Sequence, residues 1–522
     1  MWKPSGTKHK RRLKGSEKLH YSNSMPLYDE LHKNIAKIKD ELGDSSDLSI
    51  RFLKEDAPAS FVISVIHIDG ISDEQIINQH IIEPLLEYKS KLHSPSSADI
   101  HKEGLERVIS GSTLETGINF AEVLLAIVSG STVILIDGCV QALIVSTGKV
   151  KSRSIAEPTT QTVIRGPKDS FTESLRTNTS LVRSRIHSPY LRLESMQIGE
   201  VTRTDVEIMY IEGIAEQSIV REVKKRLQDI KIDGILESGY IESLIKDDSY
   251  TPFPMVLHTE RPDVIVGNLL EGRVALFVNG TPFVLIVPAV FVQFFQSPED
   301  YYQNQYIGTT LRILRFVAFF LSLYAPALYV AVIAHHQGLI PTVLLVNLAA
   351  QREGVPFPAI VEALLMEATF EVLREAGIRM PRAVGQAMSI VGALILGQAA
   401  VQAGIVSAAM VIVVSITAIA SFAIPYYNLA ITGRLLRFLL LLIASFIGLY
   451  GILLGTLFIA LHMCSLRSFG VPYITPLAPF RTDEQKDVLF TFPLKSLIKR
   501  PSPAKQGDKI RMSNEDGDLN EQ

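Results

Sequence analysis

The chain has 522 residues, and 51 Lys and Arg against 54 Asp and Glu leave a formal net charge of −3, which excludes the basic excess of a general nucleic-acid binder. A mean hydropathy of +0.23 in a chain with 20% charged residues points to segregation of a polar part from a strongly apolar one. Two cysteines, Cys139 and Cys464, make neither a disulfide framework nor a four-ligand zinc site, and such sparse use fits a reducing compartment.

Residues 1–26 read as a basic, disordered tail containing Lys3, Lys8, Lys10, Arg11, Arg12, Lys14 and Lys18. No apolar h-region follows, so the tail is not a signal peptide and the N-terminal region is expected in the cytosol. The tail's cations either remain solvated or touch anionic lipid head groups.

Residues 27–150 read as a first soluble subdomain. Residues 60–68 (SFVISVIHI) form a β-branched strand ending at Asp69-Gly70. A helix is expected over 72–88, with Ser72 as N-cap, and another over 119–128. Strands at 132–136 and 140–145 flank Asp137-Gly138, a favoured hairpin turn. The same order returns in a second subdomain, 201–290. There a strand at 205–211 precedes helices at 216–230 and 263–270, and strands at 273–278 and 282–287 flank Asn279-Gly280. Gly70 to Gly213 is an offset of 143, and Gly138 to Gly280 one of 142, which argues for duplication.

Between them, 151–200 reads as a polar intervening segment. Its Arg165, Lys168, Arg176, Arg183 and Arg185 either bind an anion or lipid head group, or cover a solvated surface and pair with nearby acids. No phosphate-binding G-x-x-x-x-G-K-[ST], H-E-x-x-H, G-x-S-x-G or Cys/His ligand spacing occurs. No enzyme activity, catalytic residue, cofactor or metal is therefore expected.

Residues 291–466 read as a transmembrane domain. From Ala383 to Gly433 there is no Asp, Glu, Lys or Arg, and extending to Leu466 adds only Arg434 and Arg437. A hydrocarbon core of about 30 Å needs roughly 20 helical residues, and spans are expected near 316–334, 383–404, 405–424 and 438–461. The apolar run 284–295 is short, contains Pro288 and fits an interfacial or re-entrant piece; 340–350 is likewise short. With four spans both termini share a side, and Arg434 and Arg437 then face outward, against the positive-inside tendency. Residues 467–522 form a C-terminal cytosolic segment and tail. The expected fold class is α+β for a soluble N-terminal region of two duplicated α/β subdomains, followed by an all-α polytopic membrane domain.

An amphipathic helix is expected over 357–376, introduced by Pro356 and Pro358 and ended by Gly377 and Pro381. At about 100° per residue, Glu367, Glu371, Arg374 and Glu375 share one sector, and Glu362 lies about 140° from Glu367. Glu367, Glu371 and Glu375 form a like-charge ladder that costs stability in an isolated helix, so water or cations must lie close. Such a helix either rests on the membrane surface or lines an aqueous path, where a ring of carboxylates favours cations. Farther on, Gly385, Ser389 and Gly392 share a small-residue face suited to helix contact. Gln398 and Gln402, one turn apart, either pack at that interface or meet water. His335-His336 reads as an interface pair, because no third metal ligand accompanies it.

The run EALLMEATFEVLREAGIRMP (362–381), within a longer match over 356–425, resembles the core of the A subunits of GerA-type spore germinant receptors. DSFTESLRTNTSLVRSRI (169–186) and PDVIVGNLLEGRVALFVNGTPFVLIVP (262–288) resemble the soluble part of that family, and the likeness covers residues 27–490. The resemblance implies a multi-pass protein of the spore inner membrane that works with a transporter-like, nutrient-sensing B subunit and a lipoprotein C subunit. It also implies self-association into a ring, in contact with membrane lipid and forming a nutrient-gated cation channel. On that reading Glu362, Glu367, Glu371 and Glu375 are candidates to face the ion path, with Arg374 restraining one of them; Glu362 could instead contact a neighbouring subunit. An AF-type member of the stage V sporulation group shares this architecture. A secondary transporter and a non-conducting scaffold are the other classes.

Overall fold

The computed structural model describes residues 25–53, 62–91, 114–149, 157–380, 396–501 and 511. The first unit opens with α1 (Leu31–Leu42) and a five-stranded antiparallel sheet of order β1-β2-β4-β5-β3. Its strands are β1 (Leu48–Leu53), β2 (Ile63–Ile68), β3 (Leu114–Gly117), β4 (Thr132–Ile136) and β5 (Ala142–Val145). After β2 come the short helical turn Glu74–Ile76, a π-helical stretch Ile77–Ile82 and α2 (Glu83–Lys91); α3 (Phe120–Val128) precedes β4. Alternation along each strand divides the core. Ile66, Ile68, Val133 and Leu135 pack with α1 and α3, whereas Ile63, Val65, Ile134 and Ile136 pack with Ile77, Ile81 and Leu85. Helices therefore cover both faces.

The second unit has α4 (Leu175–Arg183), β6 (Leu191–Ile198), β7 (Thr204–Ile211), α5 (Gln217–Gln228), α6 (Ser238–Ile245), β8 (Leu257–Thr259), α7 (Pro262–Leu270), β9 (Val274–Val278) and β10 (Val284–Val287). Its sheet order, β6-β7-β9-β10-β8, is that of the first sheet, again antiparallel throughout. The starts of β4 and β9, and of β5 and β10, are each 142 residues apart. Local ties match as well. The Leu31 N–H donates to Asp137 Oδ1 at 3.1 Å and the Leu175 N–H to Asn279 Oδ1 at 3.4 Å, so each hairpin turn caps the helix that opens its unit. Asn34 grips the Tyr28 backbone and Asn178 the Thr172 backbone, each through both amide atoms. The turn glycines, Gly138 and Gly280, sit at φ +81° and +90°, a region that glycine occupies without steric cost.

Three expectations are corrected here. Ser72 does not cap its helix: Asp73 accepts from the N–H groups of Gln75 and Ile76, while Ser72 is buried and donates to the Gly130 carbonyl. The segment 151–200 is not merely intervening, because it holds α4 and β6, the first elements of the second unit. The run 284–295 is neither interfacial nor re-entrant. Val284–Val287 is β10, paired with β8 and β9, and Phe291–Phe295 is a buried 3-10 turn.

The helical half comprises α8 (Gln305–His335), α9 (Thr342–Arg352), α10 (Ala359–Arg379), α11 (Ala408–Phe422), α12 (Tyr427–Ile447) and α13 (Leu449–Ser465). Among the described residues, α8 and α12 are long and apolar enough to cross a membrane; α11 and α13 are apolar but shorter. The expected span 316–334 lies within α8. The expected span 405–424 is the 15-residue α11, about 22 Å long at 1.5 Å per residue. Residues 396–402 are helical, and the rest of the expected span 383–404 lies largely outside the described residues.

The span expected at 438–461 is two helices. Gly448, at φ +71° and ψ −143°, breaks the chain between α12 and α13, and a Cβ there would lie 2.6 Å from the His336 ring. Contacts at the helix ends set the directions. Asn428 meets His258 and Thr432 donates to the Pro252 carbonyl near the start of α12, whereas Ser445 near its end accepts from His335 at the end of α8. Thus α8 and α12 lead away from the soluble half. By the contacts of Glu362 with Ser407, Arg374 with Ser421 and His462 with Thr251, α10, α11 and α13 return to it. The following segment is held there by Ser468, which accepts from the Ala289 N–H and donates to the Met255 carbonyl.

Candidate functional site

Pro358 precedes α10, where its fixed φ suits a helix start, and the helix stops at Met380 ahead of Pro381. Its charged residues go to three places. Glu362, 1% exposed, accepts from Arg352 Nε at 3.2 Å and from the Ser407 N–H at 2.9 Å. An acid at that point complements the N-terminal dipole of α11, and both carboxylate oxygens of Glu362 have partners within the chain.

Glu367, Glu371 and Arg374 meet Arg434 and Arg437 of α12. Glu367 and Arg437, each side chain 1% exposed, pair at 2.8 Å. Glu371 lies 2.8 Å from Arg434 Nη1, 3.3 Å from Arg374 Nη1 and 3.4 Å from Arg437 Nη2. Arg374 also donates to Ser421 Oγ at 3.1 Å and lies over the rings of Phe370 and Phe422. Glu375 sits apart at the surface, paired with Arg379. The ladder expected to need water or mobile cations is thus neutralised by fixed guanidinium groups. Removing one member of the buried Glu367–Arg437 pair costs about 3–5 kcal/mol, because its partner is left charged and buried.

Of the expected helix-contact set, Gly385, Ser389 and Gly392 lie outside the described residues, and Gln398 and Gln402 are exposed. His335 Nε2 faces the Ser445 carbonyl at 2.8 Å, which assigns that nitrogen as the donor. Among the described residues no group of three or more His, Cys, Asp or Glu side chains could hold a metal.

Sequence reasoning missed the arginine side of the cluster. The available signal was Arg434 and Arg437, spaced i,i+3 in an otherwise uncharged run, opposite carboxylates spaced i,i+4; charges at apolar depth require partners. It also missed a second buried centre at the base of α8. There Asp300 lies 3.3 Å from Arg312 and 2.8 Å from Arg315, and Arg312 reaches Asp487 at 2.8 Å, tying the C-terminal segment to the helix.

In the soluble half four of the five expected basic residues of 151–200 lie against acids, whereas Arg165 is exposed and meets Glu299 through its backbone N–H. Arg183, buried, makes two bonds to Asp47, at 2.7 and 3.0 Å. Burial pushes the Asp47 carboxyl up, but Arg183 and Ser45 outweigh it and hold Asp47 below the usual carboxylate range. Arg185 pairs with Asp169, Lys168 with Glu157, and Arg176 lies 3.7 Å from Glu207. Burial pushes Glu207 up to about 7, only partly opposed by Arg176.

Comparison with known proteins follows this layout across both halves. A model described as the Bacillus/Clostridium GerA spore germination protein matches residues 36–503. Spore germination protein KA of Bacillus subtilis (strain 168) is 52% identical over 481 residues, 92% of this chain and 88% of that protein. An uncharacterized membrane protein of the same organism, YfkQ, is 47% identical over 85% of this chain and 86% of its own length. Spore germination protein GerLA of Bacillus cereus is 41% identical over 91% of this chain and 96% of its own. The crystal structure of the N-terminal domain of the A subunit of the Bacillus megaterium spore germinant receptor GerK3 is 41% identical, with a TM-score of 0.41, covering 52% of this chain and 99% of that one.

Proposed function

The chain belongs to the GerA spore germination protein family, and from this premise we propose that it is the membrane-embedded A-type subunit of a nutrient-responsive germinant receptor. The observation that carries the reading is the family match, which runs through the soluble units and the helical half without a break. A membrane location is supported by the two long apolar helices and by a relative described as a membrane protein, and on the family match the membrane is the inner one of the spore. If the soluble half is cytosolic, Arg434 and Arg437, on the stretch of α12 nearest that half, obey the positive-inside tendency. The earlier conflict disappears because α10 and α11 both run back toward the soluble half, so that α12 starts beside it, and the turn at Gly448 lets α13 return the chain to that side.

The finer reading is a ring of these chains that gates a cation path, with a transporter-like subunit sensing the nutrient and a lipoprotein completing the complex. The two sheet units of equal strand order, an internal duplication on this reading, supply the assembly platform. In this conformation Glu367 and Glu371 are closed by arginines, so opening the path requires α10 to move against α12. Glu371 and Glu375, the more exposed carboxylates of the helix, then present their charge to passing cations. Ligand shifts such an equilibrium only by its differential affinity for the two arrangements. The test is cation flux from vesicles carrying the assembled receptor, with and without nutrient. Glu371→Gln should lower flux severalfold and Glu371→Lys should abolish cation preference. Unchanged flux and selectivity in both variants removes Glu371 from the path. The second reading, a non-conducting scaffold, draws on the same Glu367–Arg437 pairing, which serves packing alone; it predicts assembly with no nutrient-dependent flux from wild-type vesicles.

A further inference from the structure

The five charges where α10 meets α12 do not balance. Three guanidinium groups, Arg374, Arg434 and Arg437, face two carboxylates, Glu367 and Glu371. The bonding is incomplete too. Arg437 Nε and Nη1, Arg434 Nε and Arg374 Nε are buried and have no hydrogen-bond partner, and the Glu367 oxygens, which meet Arg437 Nη2 as an ion pair, accept no hydrogen bond that would account for them. The Arg437 side chain is 1% exposed and that of Arg374 7%. An excess buried cation with free N–H groups is costly unless an anion completes it.

The depth of the cluster indicates which anion. Thr432, the last residue of α12 bonded to the soluble half, donates to the Pro252 carbonyl at 2.5 Å. Arg434 and Arg437 lie about 3 and 7 Å beyond it along the helix, at 1.5 Å per residue. Tyr427 and Phe422, both exposed, stand against Arg434 and Arg374, as amphipathic and aromatic side chains do at a membrane–water boundary. Leu435, next to Arg434, is exposed for lipid contact. Guanidinium forks match the oxygens of a phosphate group, and basic pockets between helices at the cytoplasmic boundary suit anionic head groups.

We propose that Arg374, Arg434 and Arg437 form a binding site for a phosphate-bearing anion at the membrane boundary, supplied by the head group of an anionic phospholipid, with Arg434 at its mouth. Bound phosphate brings the cluster to neutrality and locks α10 against α12. The inference rests on the membrane reading above and is independent of ion conduction.

The test uses the full chain in detergent micelles, followed by thermal unfolding, with Arg434→Gln and Arg434→Lys beside wild type. Short-chain phosphatidylglycerol should raise the wild-type midpoint saturably, and phosphatidylcholine of equal chain length should not. Arg434→Gln should weaken half-saturation by at least about tenfold, the worth of one charge-assisted bond, with Arg434→Lys intermediate. Inorganic phosphate serves as a separate arm. Stabilisation by phosphate equal to that by the lipid assigns the site to a free anion and overturns the lipid source. Equal response to both lipids, or an Arg434→Gln response equal to wild type, overturns the site. A change of oligomeric state in Arg434→Gln without loss of lipid response overturns it in favour of a protein carboxylate. Because Arg434→Gln leaves the Glu367–Arg437 pair intact, it should fold; far-UV circular dichroism without lipid checks this. Flotation with lecithin vesicles tests the membrane reading separately.

Discussion

Glu207 on β7 is 2% exposed, its Oε2 has no hydrogen-bond partner, and Arg176 stands 3.7 Å away. Burial is the larger influence, and the carboxyl is raised from 4.5 to about 7. A carboxyl raised on folding binds its proton more tightly in the native state. Its contribution is fully present below the unfolded value and is lost as pH rises through the folded one. Stability should therefore fall between about pH 4.5 and pH 7 from this group alone. Glu207→Gln removes that loss: the variant should match wild type near pH 4.5 and exceed it by roughly 2–3 kcal/mol at pH 8. Thermal midpoints across that interval check it, and a difference that does not vary with pH refutes the assignment. At this scale the sequence displays which residues carry charge but not which charge each one meets. Glu367 and Glu371 stand out by spacing, yet Arg437 lies seventy positions on, and only the antiparallel course of α10 and α12 brings them together.

Gly448 decides how the last apolar run is divided. Its φ of +71° with ψ of −143° is a region that side chains other than hydrogen avoid, at about 1–3 kcal/mol. A Cβ would also stand 2.9 Å from the His335 Cβ. Gly448→Ala should therefore destabilise the α12–α13 hairpin by about 2–4 kcal/mol, the strain adding to the clash. The readout is a lower thermal midpoint with new protease cleavage near 448; an unchanged midpoint means the break tolerates a side chain. Hydropathy could not show this turn, because both helices are apolar and a glycine within an apolar run is ordinary. Elements with a strong local signal were legible. The span 132–136 agrees with β4 at both ends, and Gly138 and Gly280 take up the expected turns, but each connection runs five residues, 137–141 and 279–283, so β5 and β10 start two residues later than expected. The edge strands β1, β3, β6 and β8 were not legible, since in a sequence such as LRLESMQI the alternation changes phase at Glu194-Ser195 and polar residues fall on both faces. The order of a soluble half and a helical half was legible from the distribution of charge and the apolar runs alone, and the family resemblance agrees with it.

At the scale of the molecule, one apolar cluster crosses the boundary between the halves. It runs from Met209, Phe277 and Ile286 of the second sheet, through Phe291, Phe294 and Phe295, to Phe316, Leu323 and Ala331 of α8 and Leu440 and Ala444 of α12. The opposite face of that sheet packs a separate cluster with Ile219, Val223 and Leu227 of α5. The sheet therefore packs against α8 and α12 through one face, while its other face meets α5 and Phe469 of the segment that follows α13. Phe295 is the junction: fully buried, it stacks on Phe316 at 4.0 Å between ring centroids and meets Phe291 and Phe319 edge-on. Phe295→Ala should cost about 3–5 kcal/mol and lower amide-exchange protection in β9, β10 and α8 together. Ile219→Ala, a deletion of about 2–5 kcal/mol on the other face, should lower protection in the second sheet while α8 keeps its own. Hydrogen exchange of the full chain in micelles resolves these segments. If α8 retains protection in Phe295→Ala while the sheet loses it, the halves are separate folding units. A movement of the soluble half could then reach α10 and α12 only through bonds such as Thr432 to Pro252 and Asn428 to His258.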